Sequence, residues 1–148
     1  MTPPEIEQFF HDNIPLTRAM GLRVDSWREG RLVLSAPLEP NHNHLGTAFG
    51  GSLNALAMMA GYGLIWLKLA EAAAHVVIRR GQASFLKPVR GGLRAVCVSP
   101  PEEELEDFRA RFRARGKARI TLRTTVEGEG GPALEFEGEY VAIREKTH

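Results

Sequence analysis

Apolar and polar positions divide the chain into alternating tracts on either side of one long apolar run. Residues Pro3 to Asn13 put Ile6, Phe9 and Phe10 on one face, which predicts a short helix ended by Pro15 and packed as a lid or edge cover. Gly21 to Trp27 alternates Leu22, Val24 and Ser26 against Arg23, Asp25 and Trp27. With a turn at Glu29-Gly30 and a strand from Arg31 to Ala36, this reads as a hairpin stopped by Pro37. Beyond a loop from Leu38 to Gly50, Leu53, Leu56, Ala57, Ala60, Leu64 and Leu67 recur at helical steps. The remaining faces of that helix are also apolar or small. It should be buried on most sides, with Ala57, Ala60, Gly61 and Gly63 letting a sheet approach its backbone.

Val76 to Val89 reads as a long strand, with Gly81 marking a bulge or bend and Pro88 near its end. Gly91-Gly92 turns the chain into a strand from Leu93 to Ser99. Pro100 to Arg115 then spaces Leu105, Phe108 and Phe112 as an amphipathic surface helix, with acids in its first turn, arginines in its last and Gly116 as its cap. Lys117 to Glu127 alternates Ala118, Ile120, Leu122, Thr124 and Val126 with polar residues. A turn from Gly128 to Pro132 leads to a last strand, Ala133 to Arg144, with Leu134, Phe136 and Tyr140 on one face and Glu135, Glu137 and Glu139 on the other. The order predicts an α+β fold in which a mainly antiparallel sheet wraps around one central apolar helix, the hotdog architecture. Residues 1–148 read as a single domain without repeats or linkers.

Composition narrows the partners. Lysine and arginine total 19 against 18 aspartate and glutamate, a balance that argues against nucleic acid or an anionic membrane. Cys97 has no second cysteine to pair with and reads as a small core residue. The start, Met1 to Glu7, has no signal-peptide pattern, and the uncharged run Ala55 to Leu67 is too short to span a bilayer. A cytoplasmic protein is expected.

The chemistry concentrates in Asn41-His42-Asn43-His44-Leu45-Gly46-Thr47-Ala48-Phe49-Gly50-Gly51-Ser52, a loop of imidazoles, amides and glycines that feeds a helix N-terminus. The string from Asn43 to Leu53, together with Phe85-Leu86-Lys87-Pro88-Val89, resembles the thioesterase family found as the C-terminal domain of YiiD-type proteins, within the hotdog superfamily. The resemblance covers residues 5 to 145. It implies hydrolysis of an acyl-CoA or acyl-ACP thioester, with no cofactor beyond the phosphopantetheine arm carried by the substrate. It also implies a homodimer or tetramer with the site at the subunit boundary.

Thioester hydrolysis develops an oxyanion, which backbone amides at a helix start can stabilise. Gly50 and Gly51 fit that role, although paired glycines also serve simply to turn a chain into a helix. Many hotdog thioesterases carry a carboxylate two turns further on, but here that neighbourhood is Ala57-Met58-Met59, and no Asp or Glu occurs between Glu39 and Glu71. His44 is then a candidate general base or a loop-structuring histidine. Asn43 could orient water or hold the carbonyl, and Asn54 either points into a pocket or satisfies the loop backbone.

Thr47 and Ser52 read as hydroxyls at the helix start, with capping their simplest role. Phe49, Met58 and Phe85, with Met59 and Tyr62, suit an acyl chain or the core. Gln82 and Ser84 are expected to face the pocket across from the helix, and Lys87 and Arg90, with Arg79 and Arg80, suit CoA phosphates. His42 and His44 offer two metal ligands without a third at recognisable spacing. His11, His75 and His148 add none, so no metal is expected. A dehydratase or isomerase acting on acyl thioesters, or a non-catalytic acyl-thioester binder, remain the alternatives.

Overall fold

Because the run from Gly50 to Leu69 is apolar nearly all round, the sheet has to curl over it. A computed structural model describes residues 1–71 and 73–145. The chain runs α1 (Pro3–Asn13), α2 (Pro15–Ala19), β1 (Arg23–Arg28), β2 (Arg31–Ala36), a 3-10 turn (Glu39–Asn41) and α3 (Gly50–Leu69). It continues through β3 (Ala74–Phe85), β4 (Leu93–Val98), α4 (Glu102–Arg115), β5 (Lys117–Gly128) and β6 (Gly131–Arg144). The six strands form one antiparallel sheet in the order β1-β2-β4-β5-β6-β3.

Strand alternation sets the two faces. Leu93, Ala95 and Cys97 of β4, Ala118, Ile120, Leu122 and Val126 of β5, and Leu134, Phe136 and Tyr140 of β6 are buried in the core with α3. This is the hotdog arrangement. Two glycines set how closely the helix sits. A Cβ at Gly61 would lie 2.3 Å from the Tyr140 hydroxyl, and one at Gly63 would lie 2.6 Å from the Phe10 ring. The space at Gly61 lets the buried Tyr140 Oη donate to the Met58 carbonyl at 2.8 Å, in the middle of α3.

The C-terminal half of α3 is held from several directions. Phe9 of α1 stacks on Trp66 at 3.9 Å between ring centroids. Arg109 of α4 donates through Nε and Nη2 to the Lys68 carbonyl, each at 3.2 Å, satisfying an acceptor that a helix end leaves open. α4 buries Leu105, Phe108 and Phe112 and ends at Gly116 in the left-handed conformation, as its sequence predicts.

Three features depart from the alternation read off the sequence. Pro15 does not only end α1: it occupies the first position of α2, where its missing N–H costs nothing. A bulge at Asp25 shifts β1 by one residue, so Trp27 pairs with buried Leu32 and joins the face of Leu22 and Val24. In β3 the bulge falls at Arg79 rather than Gly81, and the strand ends at Phe85 rather than Val89. Among the described residues, no helix is long and apolar enough to cross a membrane.

Candidate active site

Asn41, nearly fully buried, organises the approach to α3. Its Nδ2 donates to the carbonyls of Met20 (2.8 Å) and Pro37 (2.7 Å), and its own carbonyl accepts from Phe49 N–H at 2.7 Å. The Asn41 side chain thus fixes the end of α2, and its main-chain carbonyl fixes the residue that starts α3. Sequence reasoning missed it, and its only signal was a polar residue in the loop beside Pro40. The Ala48 N–H donates to the Val89 carbonyl, which ties the loop to the segment after β3.

Asn43 builds the loop itself. Its Oδ1 accepts from Leu45 N–H (2.9 Å) and Thr47 N–H (3.2 Å), while its Nδ2 donates to Thr47 Oγ1 at 2.9 Å. Gly46, at φ +78°, closes the turn in a conformation that glycine tolerates. The Asn43 amide is therefore spent on holding the loop, and His44 stands exposed at its tip. His42 Nδ1 is 2.8 Å from the Asn43 carbonyl.

α3 starts without a cap. Its N-cap residue is Phe49, whose side chain offers no acceptor, and neither Thr47 nor Ser52 takes the capping role expected of a hydroxyl there. Ser52 N–H and Leu53 N–H both donate to the Phe49 carbonyl. The N–H groups of Gly50 and Gly51 have no acceptor among the described residues. Two adjacent donors without acceptors thus stand at the positive end of a 20-residue helix.

Two phenyl rings flank these donors. A Cβ at Gly51 would lie 2.3 Å from the Phe49 ring, and one at Gly50 would lie 3.3 Å from that of Phe85. Phe49 and Phe85 are 56% and 57% exposed, so both are rims of the site rather than core residues. Asn54, one turn into α3, has a buried Oδ1 without a hydrogen-bond partner among the described residues. Met58 packs part-buried against the core.

The remaining candidates are scattered. Gln82 and Ser84 pair with Glu137 and Glu135, so after the Arg79 bulge they lie on the outer face of the sheet, away from α3. This corrects the expectation that they face the pocket opposite the helix. Arg79 pairs with Glu139 at 2.8 Å on that outer face and holds its carboxyl below the usual range. Lys87 donates to the Glu129 carbonyl at 2.8 Å, and Arg90 beside it is exposed; both border a hollow of about 440 Å³. Among the described residues, no three His, Cys, Asp or Glu side chains converge as a metal site; His148 lies outside those residues. Cys97 is buried, and burial pushes its thiol up to about 11 against a smaller opposing pull from the Thr124 hydroxyl, so it is no nucleophile.

Known structures share this architecture. A protein of unknown function from Chlorobaculum tepidum is 38% identical, with a TM-score of 0.91 over 97% of this chain and 98% of that one. A structure described as a putative thioesterase from Shewanella oneidensis is 27% identical, with a TM-score of 0.81 over 95% and 96% of the two chains. A thioesterase from Haemophilus influenzae, at 18% identity, shares the fold, with a TM-score of 0.78 over 100% of this chain and 94% of that one. The model of the family described as "Putative thioesterase (yiiD_Cterm)" matches residues 4–144, and the chain belongs to that family.

Proposed function

We propose that the protein hydrolyses an acyl-CoA or acyl-ACP thioester whose carbonyl oxygen is held by the N–H groups of Gly50 and Gly51. One observation carries this reading: α3 opens on two unpaired amides beneath a residue that cannot cap them. A helix start usually recruits Ser, Thr, Asp or Asn, and giving that up forgoes about 1 kcal/mol of stability. α2 and α4 also start without a side-chain cap, so what marks α3 is that its two free donors belong to adjacent glycines between exposed phenyl rings. As water attacks, the C=O becomes an oxyanion and these amides, aided by the helix dipole, stabilise it; a single donor of this kind contributes about 10²–10³ in rate. Phe49 and Phe85 thin the water around the carbonyl and so strengthen both hydrogen bonds.

In this reading His44 takes the proton from the attacking water and returns it to the departing thiolate, carried on a loop that Asn43 and Thr47 hold in shape. Arg90 and Lys87 receive the phosphates of the CoA or carrier arm. Among the described residues the edge strand β3 is bonded only to β6, which supports a homodimer or tetramer with the site at the boundary. The unpaired Cys97 suits a reducing cytoplasm.

The absence of any acid between Glu39 and Glu71 favours a second reading, a binder of acyl thioesters without turnover. Release of free thiol from a panel of acyl-CoAs separates the two. Hydrolysis by the wild type, falling about 10²-fold or more in His44→Ala, is expected. Tight binding without thiol release at any chain length would establish the binder instead.

A further inference from the structure

We infer that the hollow between α2 and the first turns of α3 is the acyl-chain subsite. The inference rests on the thioesterase reading above. The hollow encloses about 270 Å³ and is walled by Leu16 and Ala19 on one side and Phe49 and Ala55 on the other, with no charged residue in its lining.

Three observations point to an alkyl occupant. Gly51, Ser52 and Ala55 lie on one face of α3, and all three line the hollow. A carbonyl held by the Gly51 amide therefore releases its chain at the hollow's mouth. The rim is apolar yet open, with Leu16 62% and Phe49 56% exposed. Covering that surface with methylenes gains about 25 cal/mol per Å². Finally, the space exists because Ala19 and Ala55 are small. A larger side chain at either position would take up space that an alkyl chain would use. The lack of any charge in the lining leaves the polar end of the substrate at the amides, outside the hollow.

The test is kcat/KM on saturated acyl-CoAs from two to twelve carbons, for the full-length wild type, Ala19→Leu and Ala55→Leu. Hydrophobic pockets discriminate about 10–200-fold per methylene. Both substitutions are expected to lower the ratio of the eight-carbon to the two-carbon substrate at least tenfold. The two sites lie on different helices, so either variant reads the subsite if the other fails to fold. An unchanged ratio in a folded variant overturns the inference while leaving hydrolysis intact. If the wild type hydrolyses none of the series, the functional reading fails on its own, and S-alkyl-CoA thioethers then test the subsite by Kd. Affinity that rises with chain length in the wild type and stays flat in Ala19→Leu supports the subsite; no dependence on length in the wild type overturns it.

Discussion

The two ends of α3 are built on opposite principles. At its C-terminal end, Arg109 satisfies the Lys68 carbonyl, Phe9 covers Trp66, and Gly63 opens space that the Phe10 ring fills. At its N-terminal end, Phe49 stands where a capping side chain would, two amides lack acceptors among the described residues, and two half-exposed phenyl rings flank the glycines. One helix thus has an end that is finished and an end that is left open. On the proposed function, stability and chemistry are separated along it, so substitutions at the two ends should fail in different ways.

The largest effect is expected at the finished end. Phe10 is fully buried against Gly63 and near Tyr62 and Trp66, so Phe10→Ala should lower unfolding free energy by about 3–5 kcal/mol in urea titration. The folded fraction should retain its kcat. A loss of kcat without loss of stability would break the division between the two ends.

A smaller effect tests whether the sheet floor beneath α3 is dry. Burial raises the Cys97 thiol from its ordinary value near 9 to about 11, and burial, with the Cys97 charge adding to it, also raises the Tyr140 phenol. For a group whose folded pKa is raised, the stabilising contribution is full below the unfolded pKa and is lost as pH rises through the folded one. Stability should therefore decline between about pH 9 and 11, by up to about 3 kcal/mol from Cys97. Cys97→Ala should flatten the lower part of that decline in urea titrations at stepped pH, and an equally steep decline in the variant would show that water reaches the floor.

The finished end of α3 was largely legible in the sequence. Apolar spacing from Leu53 to Leu67 marks the helix, and Gly61 and Gly63 mark where the sheet and α1 press against it. The glycine doublet at the open end was legible too. The hidden parts have specific causes. A bulge adds one residue without disturbing composition, so Asp25 and Arg79 shift the phase of β1 and β3 unseen, which put Trp27, Gln82 and Ser84 on the wrong faces. α2 is too short to show a helical period, and Pro15 reads as a stop rather than a start. The hollow it walls was therefore invisible, as was the span of Asn41 from α2 to Phe49. That the amides of Gly50 and Gly51 stay unpaired follows only once Phe49 is known to be the N-cap.

The most direct test compares Gly50→Pro with Gly50→Ala. Gly50 is the first helical residue, and Phe49 before it already has ψ 133°, which a following proline requires. Proline deletes the Gly50 N–H where a helix best tolerates it, while alanine keeps the N–H and adds a Cβ against the same Phe85 ring. Both variants should melt close to the wild type. If the amide holds the oxyanion, thiol release by Gly50→Pro should run about 10²–10³ slower than by Gly50→Ala. Equal rates in two equally stable variants would contradict the oxyanion role of the open helix end.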